Sequence, residues 1–312
     1  MKQVQLQLRK RFKSLGASAG GLRSMDAGAS SLAVLALFAV SVGAGKLSRV
    51  KPPAWVFEGI ILVVVFSVSC WAASSGVQAT VSALILAAAL LSLIVSLTLA
   101  ASLISKSRGK AAEARFSPRI DWRILSVVLA GWLSGFLAPY LSEVLGSLLF
   151  WEVMVLIAIT GLYVSSSLNH QALREGARTA LEACALAVAI SVLAGLVGSR
   201  VLGIPPDLAV AMTLGMGWYS FTGPYIASVA GPSAGLAAFL LNVMREQSTF
   251  LLVPLVRGPR SVMLSLGGVT TMDNTLPVYI HAYGEDFAPA SVLHGFILTV
   301  LAPFLIVAAL SF

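Results

Sequence analysis

Gly267-Gly-Val-Thr-Thr-Met-Asp-Asn-Thr-Leu-Pro277 is polar, glycine-rich and proline-ended, inside a chain that is otherwise almost continuously apolar. A carboxylate such as Asp273 at membrane depth costs roughly 2.5–3.5 kcal/mol on insertion scales. It therefore faces a cavity, a partner or a substrate. The polar residues around it imply backbone that has left the helix, which is tolerated at that depth only where it lines protein or water. Together these features read as a transport site.

The surrounding composition fixes the class. The chain has 312 residues, of which 58% are hydrophobic and only 11% charged, and its mean hydropathy is +0.91. Apolar runs of about 20 residues recur along it, the signature of an all-α polytopic membrane protein. Ten-residue alternating strands of a β-barrel are absent from the sequence. The net charge of +8 comes from Lys and Arg between apolar runs, where the positive-inside rule puts them, and not from a nucleic-acid surface. Cys70 and Cys184 lie in apolar runs and read as small core residues. No metal-ligand spacing, Walker A sequence or nucleophile elbow is present, so no metal, cofactor or enzymatic role is expected and an ion gradient must supply the power.

The chain divides into a basic polar tail, 1–27, and a membrane transporter domain, 28–312. Apolar spans are read at 28–45, 54–74, 78–105, 124–149, 151–168, 179–203, 233–256 and 288–311. Two more segments, 207–230 and 262–283, are apolar but broken by Gly and Pro. Basic residues cluster after spans one, three and five and again at Arg257 and Arg260. Eight crossings plus two re-entrant segments, with both termini outside, put those clusters on one side. A ten-crossing arrangement places the basic tail inside but exports the 105–123 loop.

Two internal pairings suggest inverted repeats. Phe57-Glu58 and Trp151-Glu152 each open an apolar run. More clearly, Gly217-Trp-Tyr-Ser-Phe-Thr-Gly-Pro224 lies without gaps on Thr270-Thr-Met-Asp-Asn-Thr-Leu-Pro277, which sets Ser220 on Asp273 and Thr222 on Thr275. Interrupted segments at matching positions of two repeats point to a secondary transporter's binding site.

The expected substrate- and proton-binding residues gather there. Asp273 is a counter-ion for a cation, a proton carrier, or both in turn. Thr271, Asn274 and Thr275 satisfy exposed backbone or line the site. Trp218 and Tyr219 stack on an aliphatic or ammonium stem, or are buried aromatics. Asn242, Arg245 and Glu246 share one side of a helix. Arg245 with Glu246 is either an internal ion pair that fixes packing or a proton and substrate site. Glu58 and Glu152 start their spans and read as interfacial. His294, near the start of the last span, reads as a packing histidine.

Gly215-Met-Gly-Trp-Tyr-Ser220, Gly231-Pro232, Arg245-Glu246, Thr271-Met-Asp-Asn-Thr-Leu-Pro277 and His294-Gly-Phe-Ile297 together resemble the LysO family of prokaryotic lysine exporters. The resemblance covers the last hundred residues in order; the first two hundred match mainly in hydropathy. It implies an inner-membrane secondary transporter that exports L-lysine and lysine analogues, coupled to an ion gradient. It carries importance onto Asp273, Arg245 and Glu246. The chain departs from the family in its longer basic tail and in Ala73-Ser-Ser-Gly76, where some members carry a polar or acidic residue. The expected partner is L-lysine or another cationic amino acid, with H+ as the expected coupling ion, and a homodimer is compatible though no motif requires it. The alternatives are an ion-coupled carrier of another organic ion, or a non-transporting membrane subunit.

Overall fold

The computed structural model describes residues 27–48, 52–74, 76–105, 122–165, 176–256 and 258–311. The basic tail before Ala27 and the charged stretches 106–121 and 166–175, on which part of the orientation argument rests, lie outside these residues, as does Arg257. Within them the regular structure is helical: α1 (Ala27–Ser48), α2 (Ala54–Ala73), α3 (Val77–Ile104), α4 (Trp122–Leu137), α5 (Pro139–Ser165), α6 (Ala177–Leu202), α7 (Pro206–Thr213), α8 (Tyr219–Ala230), α9 (Pro232–Val256), α10 (Arg260–Gly267), α11 (Leu276–Tyr283) and α12 (Ala288–Leu310). Short 3-10 turns cover Gly268–Met272 and Glu285–Phe287.

Among the described residues, six stretches are long and apolar enough to cross a bilayer: Trp55–Ala73, Val77–Ile104, Pro139–Leu162, Ala177–Leu202, Pro232–Val256 and Glu285–Leu310. At about 1.5 Å per residue each reaches the roughly 30 Å of hydrocarbon that a span must cover. Ala36–Ser48 and Leu125–Leu137 are shorter apolar helices. Large side chains such as Trp55, Ile85, Leu133 and Leu255 point outward and stay exposed, as a lipid-facing wall requires.

One boundary differs from the sequence reading. The break expected near 150 falls instead at Ala138-Pro139, where α4 ends and α5 begins. Pro139 has no N–H to continue α4 and disfavours helical geometry in the residue before it. The α5 helix then runs unbroken past Trp151-Glu152. Glu152 consequently sits thirteen residues into α5, about 20 Å along the axis, and not at a helix start. Glu58 remains near the start of α2 and is exposed, so the proposed pairing of Glu58 with Glu152 is not an equivalence of position.

Glycine decides the closest helix approaches. On α4, a Cβ at Gly131 would lie 2.6 Å from the Phe66 carbonyl of α2, and Gly135 meets the Cys70 carbonyl of the same helix. On α8, a Cβ at Gly223 would lie 2.6 Å from Phe239 of α9. Small residues at such spacing let helix backbones pack where lipid supplies no hydrophobic drive between helices.

Candidate functional site

Both segments expected to be broken are broken. The first runs α7, an unwound stretch 214–218, then α8; the second runs α10, a 3-10 turn and loop over 268–275, then α11. Each opens with an eight-residue helix behind an extended proline, Pro205 (φ −55°, ψ 134°) or Pro259 (φ −56°, ψ 137°). Each second half-helix closes on a left-handed glycine of matching geometry, Gly231 (φ 90°, ψ 166°) and Gly284 (φ 96°, ψ 164°). The glycines are 53 positions apart, the offset at which the sequence motifs superpose. The local conformation nevertheless differs. Ser220 lies in the first turn of α8, while Asp273 lies in unwound backbone before α11.

The two breaks meet. Val269 donates its backbone N–H to the Met216 carbonyl at 2.8 Å. Gly268 sits so close that a Cβ there would collide with that same carbonyl, and a Cβ at Gly217 would lie 3.2 Å from the Gly267 carbonyl. Met216 itself has φ +46°, a left-handed conformation that non-glycine residues seldom adopt.

Arg245 of α9 is fully buried and lies where both first half-helices end. Its Nε donates to the Leu266 carbonyl at 2.9 Å and Nη2 to the Ser265 carbonyl at 2.9 Å. Nη1 donates to Ser191 Oγ at 3.0 Å and to the Thr213 carbonyl at 3.4 Å. Thr213 ends α7, and Ser265 and Leu266 belong to the last turn of α10. Each helix C-terminus carries about half a negative charge, so two converging ends nearly balance one guanidinium. The fork geometry of Arg serves several acceptors at once, as a Lys ammonium does not.

Asn242, one turn before Arg245, completes the hold on the first break. Its Nδ2 donates to the carbonyls of Met212 (3.1 Å) and Ala238 (2.8 Å), and its Oδ1 accepts the Gly217 N–H at 2.8 Å. The Arg245 hydrogen bonds go to helix ends and Ser191 rather than to the neighbouring carboxylate. Glu246 is itself buried on α9, 4% exposed.

The second break is satisfied mainly by hydroxyls. Thr271 Oγ1 lies 2.9 Å from the Gly268 carbonyl, 3.0 Å from the Ser291 carbonyl and 2.9 Å from His294 Nδ1. His294 is fully buried. Thr270 and Thr275 hydroxyls meet at 3.2 Å, and Ser291 Oγ donates to the Thr271 carbonyl at 2.9 Å. Gly295 allows α12 this close, for a Cβ there would lie 2.6 Å from Met272 N. The sequence reading missed Tyr279, whose hydroxyl donates to the Met263 carbonyl at 2.8 Å and accepts the Gly267 N–H at 3.1 Å. A hydroxyl within the largely apolar run Leu276–Tyr283 was its only signal.

Asp273, Asn274 and Pro277 are exposed, whereas Thr271 and Thr275 beside them are buried. The Asp273 carboxylate accepts the Asn274 N–H at 2.6 Å; among the described residues no side-chain cation is bonded to it. Trp218, Tyr219, Ser220 and Thr222 are buried. Trp218 lies tilted against Phe221 at 5.0 Å and Tyr219 meets Phe239 edge-on at 5.7 Å, so both rings are core aromatics in this conformation. Thr222 Oγ1 is buried without a hydrogen-bond partner, beside Gly215, whose Cβ would be 2.5 Å from it. The arrangement thus offers an exposed carboxylate, a buried carboxylate, two half-helix N-termini and one unfilled hydroxyl around a neutralised cationic clamp.

The family model described as "Lysine exporter LysO" matches residues 125–310, which include both breaks and the clamp. The chain is 43% identical to "Lysine exporter LysO" of Escherichia coli (strain K12) over 120 residues, 38% of this chain and 40% of that protein. It is 30% identical to a "Putative lysine exporter" of Haemophilus influenzae over 146 residues, 46% of this chain and 71% of that protein. The match therefore spans well under half the length of the Escherichia coli relative. No solved structure matches the chain. With six helices able to span among the described residues, it is a multi-pass protein of the inner membrane. By the extent of the matched region, the chain belongs to the lysine exporter LysO family.

Proposed function

We propose that this protein is a secondary transporter that exports L-lysine, or a close analogue, by proton antiport. The observation that carries the reading is the crossing of two interrupted segments at Met216 and Gly268, with the exposed Asp273 carboxylate at one side of it. The matched turns and caps support treating α7–α8 with α9, and α10–α11 with α12, as inverted repeats whose first parts are re-entrant. Interrupted helices of this kind place polar backbone where a carrier binds its substrate.

Each group then has a physical task. Arg245 is neutralised by two helix C-termini, so it does not repel a lysine ammonium. Asp273 attracts the side-chain ammonium, and Glu246 adds negative charge one turn beyond Asn242. The N-terminal ends of α8 and α11 suit the α-carboxylate. Thr222 Oγ1, unfilled in the structure, gains a partner when substrate arrives. A proton taken up from outside by Asp273 or Glu246 cancels the charge that held the ammonium, and lysine leaves. Loss of that proton to the cytoplasm restores the site.

Counterflow of radiolabelled L-lysine in proteoliposomes under an imposed pH gradient tests this reading. Wild type should exchange lysine, and Asp273→Asn should lose it while unfolding at the normal temperature. A folded wild type without lysine exchange overturns the substrate; Asp273→Asn with normal rate and pH dependence overturns the site.

A further inference from the structure

Away from the crossing, the side chains of Ser67 on α2, which is buried, and Glu152 on α5, which is half-buried, meet between the two helices. Ser67 Oγ donates to Glu152 Oε1 at 2.9 Å. Glu152 Oε2 is buried with no hydrogen-bond partner. Leu149 and Leu156, about one turn to either side of Glu152, and Val64 and Val68 beside Ser67 are all completely buried and share one apolar cluster. An ionised carboxylate with an orphaned oxygen against such a wall is costly, and a proton on that oxygen removes the charge. The same cluster contains Tyr219, the first residue of α8 after the first break. Any rearrangement of that break therefore disturbs the cluster to which Leu149 and Leu156 belong.

We propose that Glu152 is a proton-binding site of this protein, separate from the crossing, whose exchange with water is gated by the position of α8. Titratable groups on the elements packed against α5 are Lys46 on α1, Glu58 and Cys70 on α2, Arg123 on α4, and Tyr219 and Tyr225 on α8. Lys46, Glu58 and Arg123 are exposed, and Glu58 forms an ion pair with Arg123 at 3.5 Å. Cys70, Tyr219 and Tyr225 are buried. Thiol and phenol groups ordinarily stay neutral near pH 7, so Glu152 is the group of this set suited to take and release a proton there.

That the proton exchange is coupled to transport rests on the export reading above; proton binding itself does not. Infrared titration of the purified protein in liposomes should show a carboxylic-acid carbonyl band that changes with pH and is missing in Glu152→Gln. In lysine proteoliposomes, Glu152→Gln should keep exchange but lose accumulation driven by a pH gradient, and Glu152→Asp should restore part of it. A difference spectrum without a pH-sensitive band assigned to Glu152 overturns the proton site, whatever the substrate proves to be. Normal gradient-driven accumulation in Glu152→Gln overturns its role in coupling. Absence of lysine exchange in wild type sinks the export reading alone, because the infrared result still decides the site.

Discussion

Val269 and Met216, 53 residues apart in the chain, are joined by a backbone hydrogen bond of 2.8 Å between the two interrupted segments. Backbone that has left the helix carries donors and acceptors that lipid cannot satisfy. Here the second break supplies the donor and the first the acceptor, so each resolves part of the other's need. The crossing is thereby a matter of hydrogen-bond completion as well as of shape.

Gly268 is where that contact is most exposed to substitution. Its φ is +61° and a Cβ would run into the Met216 carbonyl. Gly203, at φ +71°, has open space around it. Gly203→Ala should cost about 1 kcal/mol, the left-handed penalty alone. Gly268→Ala should cost that plus the separation of the two breaks, and should abolish transport. Thermal unfolding in detergent compares them; equal shifts in Tm would show that the crossing does not depend on close approach.

Arg245 should not tolerate Lys. The guanidinium reaches carbonyls of two helices and a serine hydroxyl from one plane, and an ammonium keeps the charge without that fork. Arg245→Met removes the charge as well, leaving two helix C-termini facing each other; about 3–5 kcal/mol is the usual cost of breaking a buried charged contact. Folded yield and Tm should fall for both variants, more for Met. A Lys variant as stable as wild type would reduce the clamp to simple charge balance.

These partners explain what was legible in the sequence. The breaks, read at 207–230 and 262–283, fall at 206–230 and 260–283, because Gly, Pro and hydroxyl residues interrupt an apolar pattern visibly. Asp273 stands out for the same reason. The partners of Arg245 are mostly carbonyls, which every residue carries, so no side-chain pattern announces them. The shift of a helix boundary from about 150 to Ala138-Pro139 has a different origin. Trp151-Glu152 looks like a helix start only while a carboxylate is assumed to seek the interface, and Ser67 on a distant helix removes that need.

Asn242→Asp should separate shape from hydrogen-bond polarity. The Oδ1 that accepts from Gly217 N–H survives, but the Nδ2 that donates to Met212 and Ala238 becomes an oxygen facing two carbonyls. Two donations are lost and an acceptor repels acceptors, a loss of about 2–5 kcal/mol on ordinary values for buried unsatisfied groups. Asn242→Leu, which loses all three bonds without adding charge, provides the comparison. A lower Tm for Asp than for Leu is expected; the reverse order would mean that steric fit at Gly215 outweighs the hydrogen bonds.

Thr222 offers a variant whose effects on stability and transport should run in opposite directions. Its hydroxyl is buried and unpartnered at the first break, a state that costs about 1–3 kcal/mol. Thr222→Val keeps the branched shape and deletes the orphan, so Tm should rise. If the hydroxyl is kept for the substrate, as the export reading has it, affinity should fall together with that gain: about 1 kcal/mol of lost hydrogen bonding is roughly a fivefold weaker apparent KM for lysine. Measuring both on one preparation is decisive because a merely structural threonine cannot produce the pair of changes. Higher Tm with unchanged KM would remove Thr222 from the substrate site, and lower Tm would show that the hydroxyl is already bonded in the resting protein.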